Sequence, residues 1–211
     1  MLEAKNLHIV DGPLSRQKLA VLRDERTHTP EFRQAMRELA LILVDEAARA
    51  MPTSTMRIET PLAETEVEKI SGPVCLVPVL RAGLRRLESA LALLPEATVG
   101  FMGLQRDEET NEPVEYYVNL PRSLDEYLVL VLDPMLATGG SLSATLSKLK
   151  EYGARWVSCL HAVAAVPGVE RVMNEHPHVG LYAAAVDPEL DENAFIVPGF
   201  GDAGDRLYGT L

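Results

Sequence analysis

The chain predicts an α/β fold: a parallel, doubly wound sheet of about five strands with flanking helices. Three observations carry this. Short runs rich in Val, Leu and Ala recur along the 211 residues, and segments between them place apolar residues at helical spacing. Several of these runs end in small-residue turns, as buried parallel strands do before their crossover helices. The composition is 47% hydrophobic but only 5% aromatic, which gives an aliphatic core large enough for one domain.

The elements follow in order. Thr29-Pro30 opens a helix in which Phe32, Ala35, Met36, Leu39, Ala40, Leu43, Val44 and Ala47 form one stripe, with threonine suited to cap it and proline to its first position. A Pro- and Glu-containing connection, 52 to 73, leads to the strand Val74 to Val79. Leu84 to Leu94 reads as a helix and Thr98 to Leu104 as a strand. Residues 105 to 126 break the alternation. Gln105-Arg-Asp-Glu-Glu-Thr-Asn-Glu-Pro113 is polar and Val114 to Val118 is extended, which together read as a hairpin-like, flexible flap. Tyr127 to Leu132 is a buried strand, followed by a helix carrying Leu142, Leu146 and Leu149. Trp156 to Val166 and Val179 to Val186 are strands, each after a helical segment. The glycine-rich final residues have the composition of neither helix nor strand. No repeat or linker divides the chain, so a single domain over 1 to 211 is expected.

A formal charge of −11 and a pI near 4.9 argue against a nucleic-acid partner, since nonspecific binding needs many cations on phosphate. Cys75 and Cys159 lie in apolar runs and read as core thiols. His161 reads as a satisfied core residue, and His176 and His178 lack a third metal ligand nearby. With no basic segment followed by an apolar run at the N-terminus, and no apolar stretch of about 18 residues, no membrane partner and a cytoplasmic location are expected.

Val129-Leu-Val-Leu-Asp-Pro-Met-Leu-Ala-Thr-Gly-Gly-Ser141 runs from a buried strand through a glycine turn into a helix. Such a turn is either plain, with Ser141 as N-cap, or a phosphate cup. At a helix N-terminus the first N–H groups have no intrahelical acceptor, and the helix dipole favours an anion. Ser141 and Leu142 stand where an NTPase loop needs lysine. Asp133, at the strand terminus, is placed to accept from ribose hydroxyls while the cup holds a 5-phosphate. Leu80-Arg81-Ala82-Gly83 follows another strand and falls at the same sheet edge. Taken alone, Arg81 suits either an anion or a surface ion pair.

Asp133-Pro-Met-Leu-Ala-Thr-Gly-Gly-Ser141 resembles the phosphoribosyl diphosphate (PRPP) motif of the type I phosphoribosyltransferases, in the variant of the uracil phosphoribosyltransferases. Pro134 stands where most type I relatives carry a second acid, and matches the uracil branch. The resemblance implies that PRPP is bound by Arg81, Arg106, Asp133, Pro134, Met135, Leu136, Ala137, Thr138, Gly139, Gly140, Ser141 and Asp202. Of these, Arg81, Arg106 and Asp133 would act in catalysis. It implies that Phe195-Ile-Val-Pro-Gly-Phe-Gly-Asp-Ala-Gly-Asp205 is a uracil loop, with Ile196, Gly201, Asp202 and Ala203 at the base. The flap would span about 105 to 126, and a base-binding hood about 187 to 211 with the N-terminal segment. Removing 199 to 211 is expected to abolish uracil binding while leaving a folded sheet.

The implied reaction is uracil plus PRPP giving UMP and pyrophosphate, in pyrimidine salvage. Mg²⁺ is expected through PRPP, with no protein metal site of its own. A homo-oligomer, dimer or tetramer, and a GTP effector also come with the resemblance. The alternatives are a nonenzymatic nucleotide-sensing or RNA-binding pyrimidine regulator, and a phosphoribosyltransferase for another base. Several positions depart from the family. Arg85 replaces a small residue, and Arg85 and Arg86 are both expected on a solvated helix face. Gln105 stands where tyrosine is common, Gly12 where histidine is usual, and Asp191-Glu-Asn-Ala-Phe195 differs at several places. Phe195 lacks a phenolic hydroxyl.

Overall fold

Alternating apolar runs and amphipathic segments fold in the computed structural model as strands and crossover helices, preceded by two elements that the sequence pattern leaves unmarked. The structure describes residues 6 to 106 and 113 to 210, with the backbone alone at 105, 106 and 113. A short strand β1 (Leu7–Ile9) and a helix α1 (Pro13–Arg23) precede α2 (Thr29–Ala48). An antiparallel hairpin, β2 (Thr53–Glu59) and β3 (Glu64–Ile70), occupies the stretch expected to be a connection. Then come β4 (Val74–Leu80), α3 (Leu84–Leu93), β5 (Thr98–Val99), β6 (Phe101–Arg106) and β7 (Pro113–Asn119). The strand β8 (Leu128–Leu132) passes through the two-residue β9 (Met135–Leu136) into α4 (Gly140–Glu151). After β10 (Trp156–Ala165), α5 (Val166–Glu175) and β11 (Gly180–Asp187), the tail folds as β12 (Glu189–Leu190), β13 (Ile196–Val197) and α6 (Ala203–Tyr208).

The five expected strands are all present, as β4, β6 (with the short β5), β8, β10 and β11, in a sheet of order β1-β11-β10-β8-β4-β6-β7. Pairing is parallel from β1 through β6, and β7 closes one edge antiparallel to β6. β1 adds a sixth parallel strand at the other edge.

Period-two alternation divides the core between the sheet faces. Leu128, Leu130 and Leu132 of β8 join α2 on one face, and Val129 and Val131 join Leu142, Leu146 and Leu149 of α4 on the other. All eight residues of the predicted α2 stripe are buried. Its cap differs from expectation: the helix begins at Thr29, His28 is the N-cap residue, and no side chain caps it. Pro30 lies in the first turn, where its missing N–H is of no consequence.

The strand order places a topological switch at β4 and β8. From β4 the chain moves outward to β6, then returns past β4 to β8 and continues to β10 and β11. Connections leaving the carboxyl ends of these two neighbours therefore diverge, opening a crevice of the kind in which α/β sheets bind ligands. No described helix is long and apolar enough to cross a membrane.

Candidate active site

The two loops at that crevice are those of Arg81 and Asp133. A cavity of about 230 Å³ lies between them, lined by Val79 to Ala82, Leu104, Asp133, Met135 to Gly139, Ser141 and Leu142. It gathers from three elements the residues that the sequence places in separate motifs. Leu104 brings the base of the β6–β7 hairpin to the rim.

The cup is held from below and from outside. Met135 and Leu136 pair with Val163 and Ala164 of β10, so this part of the turn belongs to the sheet. Gly139 has φ 81°, and its carbonyl accepts the first helical bond, from the Ser143 N–H at 2.8 Å. Gly139, not Ser141, is thus the N-cap residue. Gly168 of α5 packs against the outer wall: a Cβ there would lie 2.3 Å from the Ala137 carbonyl oxygen. Pro134 and Gly140 are buried and do not line the cavity.

Gly83 brings the other loop close. A Cβ at Gly83 would lie 2.3 Å from the Leu132 carbonyl oxygen and 2.7 Å from Val79 backbone, so only glycine lets α3 begin against the end of β8. The Leu80–Arg81 peptide is cis. Arg81 is exposed on the cavity wall, and its carbonyl accepts from the Tyr208 hydroxyl at 3.2 Å. The tail is tied to this loop by that bond.

Asp133 lies at the floor of the crevice. Burial pushes its carboxyl up to about 6, against the pull of the Met135 N–H and the Arg86 guanidinium. Its main-chain carbonyl accepts from Arg86 at 3.0 Å and from His161 Nδ1 at 2.9 Å. This corrects the sequence reading of Arg86. It is 1% exposed and lies beneath the site, not on a solvated face. Arg85 does stay partly exposed, its guanidinium 5.5 Å from the Tyr208 ring centroid. His161 is fully buried as expected, yet its Nε2 has no hydrogen-bond partner, so it is only half satisfied. The signal for the pair was a histidine inside an apolar strand, which demands a polar partner from elsewhere.

Arg106 ends β6, with its backbone paired to Pro113, and its side chain lies outside the described residues, as does that of Gln105. Flap residues 107 to 112 lie outside them as well.

None of Ile196, Gly201, Asp202 and Ala203 lines the cavity. Ile196 and Ala203 are buried in the core beside α2, so what they can offer a base is main chain. The Asp202 side chain caps α6 by accepting from the Asp205 N–H at 2.9 Å. The tail is therefore not the structureless run its composition suggests, nor is it separable. Phe200, Ala203 and Leu207 are core residues, and removing 199 to 211 would uncover the α2 face.

Two arginines missed by the sequence reading fasten the tail. Arg23, the last residue of α1, grips both carboxylate oxygens of Asp187 at 2.8 and 2.7 Å and donates to the Gly199 carbonyl at 2.9 Å. The Gly199 N–H returns to Asp187 at 2.9 Å. Arg206 donates to the carbonyls of Leu22, Phe200 and Asp24. Cys75 and Cys159 are buried free thiols, as expected. Among the described residues no group of three His, Cys, Asp or Glu could hold a metal, and His176 instead meets the Ser143 hydroxyl at 2.9 Å.

Comparison with known proteins agrees with this geometry. The family model "Uracil phosphoribosyltransferase" matches residues 9–210. A uracil phosphoribosyltransferase of Symbiobacterium thermophilum is 46% identical over 96% of this chain and 97% of its own. One from Shouchella clausii is 47% identical over 97% and 98%. The solved structure of an Aquifex aeolicus protein superposes with a TM-score of 0.90 at 35% identity, covering 96% of this chain and 97% of that one. A purine phosphoribosyltransferase of Pyrococcus horikoshii, at 14% identity and a TM-score of 0.51 over 73% of this chain and 84% of its own, shares the fold alone. With the cup, the Arg81 loop and the hairpin base meeting at one crevice, and a match across nearly the whole length, the chain belongs to the uracil phosphoribosyltransferase family.

Proposed function

We propose that this protein is a uracil phosphoribosyltransferase that converts uracil and PRPP to UMP and pyrophosphate, in pyrimidine salvage. The observation that carries the reading is the single cavity at the β4–β8 switch, which joins Arg81, Asp133 and the cup. The first-turn N–H groups of α4 take the 5-phosphate, with residues 137 to 141 shaping the approach. Asp133 accepts from the ribose hydroxyls. Arg81, and Arg106 once the hairpin closes, take the pyrophosphate.

In the reaction, the bond from ribose C1 to the pyrophosphate oxygen breaks and its electron pair leaves with pyrophosphate. A bond from C1 to uracil N1 forms, and the N1 proton is released. Positive charge grows on the ribose as negative charge grows on the departing group, so an arginine held at that group stabilises the transition state more than the substrate. Closure of the hairpin over C1 excludes water, which would otherwise hydrolyse PRPP.

Among the described residues Asp133 is the one carboxylate lining the cavity, Pro134 stands where most type I relatives carry a second acid, and no group of three metal-ligating side chains is found. Mg²⁺ belongs with the substrate, as the Mg–PRPP complex. The base would be read by main-chain groups around 201 to 203, since uracil offers an N3–H donor flanked by two carbonyl acceptors. Cytosine would leave them unpaired, giving discrimination on the order of 10⁴.

The test is incubation with Mg–PRPP and uracil, cytosine or hypoxanthine singly, followed by separation of nucleotides. UMP from uracil alone is expected. A purine nucleotide, or none, would overturn the reading.

A further inference from the structure

Arg86 stands in the first turn of α3 at 1% exposure, with no carboxylate in salt-bridge reach among the described residues. Its Nη1 donates to the Asp133 carbonyl at 3.0 Å and to the Leu160 carbonyl at 2.7 Å. Nε and Nη2, the forked edge that suits a carboxylate, have no partner. His161 reaches the same Asp133 carbonyl from β10 at 2.9 Å. Because that oxygen only accepts, Nδ1 carries the histidine proton and Nε2 is a lone pair.

An interior cation with three of its five N–H donors unused is costly unless a negative charge lies close by. The group acting on Arg86 in that sense is Asp133. We propose that Arg86 is a positioning residue for the phosphoribosyl site: with His161 it clamps the main chain of Asp133, and it supplies the countercharge to the Asp133 carboxylate. The inference rests on the ribose role of Asp133.

The charged and titratable groups facing Asp133 are Arg86 from α3, His161 and Cys159 from β10, and Arg81 across the cavity. His161 is held neutral: burial and the Arg86 charge pull it down to about 3. Cys159 is pushed well up by burial and by Asp133. Neither changes charge near neutrality, which leaves Arg86 as the cation beneath Asp133. Arg86 itself stays protonated, since burial lowers it only to about 10.

The experiment measures kcat/KM for PRPP and KM for uracil from pH 5 to 9 in Arg86→Met, Arg86→Gln and Arg86→Lys. Arg86→Gln removes the charge but keeps an amide N–H for the Asp133 carbonyl, so it tests the same point if Arg86→Met does not fold. Without the cation, the acid limb for PRPP should move up by about one pH unit. KM for PRPP at pH 6.5 should then rise about threefold, as the ionised fraction of Asp133 falls, with KM for uracil within twofold. Arg86→Lys should keep the limb in place. An unmoved limb in the neutral variants, or a limb moved equally by lysine, overturns the proposal, since a purely structural arginine would change the melting temperature alone. Asp133→Asn separates the two readings. If it leaves PRPP binding intact, the ribose role fails. If it weakens PRPP while the Arg86 variants behave as the unaltered protein, only this inference fails.

Discussion

Replacing Arg23 by methionine should loosen the C-terminal hood without touching the PRPP cavity. Arg23 makes a two-pronged ion pair with Asp187, whose side chain is 7% exposed, and Asp187 in turn holds the Gly199 N–H. Breaking a buried pair by removing one partner costs about 3–5 kcal/mol, because the other charge stays desolvated. A quarter of the Arg23 side chain is exposed and water can enter from that side, so the low end applies, about 3 kcal/mol. With roughly 2.1 cal/mol/K of unfolding entropy per residue over 211 residues, Tm should fall by about 7 °C. Gly199 begins the loop that leads to 201 to 203, so KM for uracil should rise at least fivefold while KM for PRPP changes little. Thermal unfolding and steady-state kinetics read both effects. The double variant Arg23→Met/Asp187→Asn, with neither charge present, should recover at least half of the lost stability. A fall in Tm under 2 °C, or a double variant no better than the single, would refute the argument that an orphaned carboxylate is the cause.

Three other expectations concern the cavity. Arg81→Ala removes an exposed side chain, so it should lower kcat/KM for PRPP at least tenfold with Tm unchanged within 2 °C; near-normal rates would place Arg81 outside the site. Gly168→Ala sets a methyl group against the Ala137 carbonyl. The cup must shift, and PRPP affinity measured by calorimetry should fall tenfold or more, with uracil kinetics preserved at saturating PRPP. Equal PRPP affinity would mean that the wall yields freely. The Asp133 carboxyl, near 6 when folded and about 4 when unfolded, binds more protons in the folded state between those values. Its contribution to stability therefore falls as pH rises from about 4 through 6, and PRPP binding weakens as pH falls through 6. Denaturant titrations across that range should show a slope that Asp133→Asn removes.

The parts legible in the sequence are those where burial imposes a pattern. The α2 stripe and the strands at 74, 128, 156 and 180 are covered on a helix face or on both sheet faces, so their residues must be apolar at fixed spacing. The β2–β3 hairpin stands away from the main sheet and is mostly exposed on both faces, which leaves no alternation to read. β1 is three residues long, and α1 buries only Ser15, Leu19 and Leu22. Glycines 199, 201, 204 and 209 disguised α6. Its local signals are the Asp202 cap and the left-handed Gly209 at its end. In the site, Arg81, Asp133 and the cup follow from their place at strand ends. Arg86 could not be read that way. An arginine after a loop is ordinarily solvated, and only the third dimension brings it under Asp133 to meet His161.

Gly168 limits how far the phosphate cup can be treated as a portable unit. The segment from Asp133 to Ser141 looks self-contained, and a protein engineer would be tempted to graft it as nine residues. Its curvature is fixed partly by a backbone 31 residues away that presses on Ala137 through the space a side chain would fill. A transplant carrying the nine residues without the facing turn of α5 would bring the right letters in the wrong shape. The smallest transferable unit runs from β8 through the start of α5.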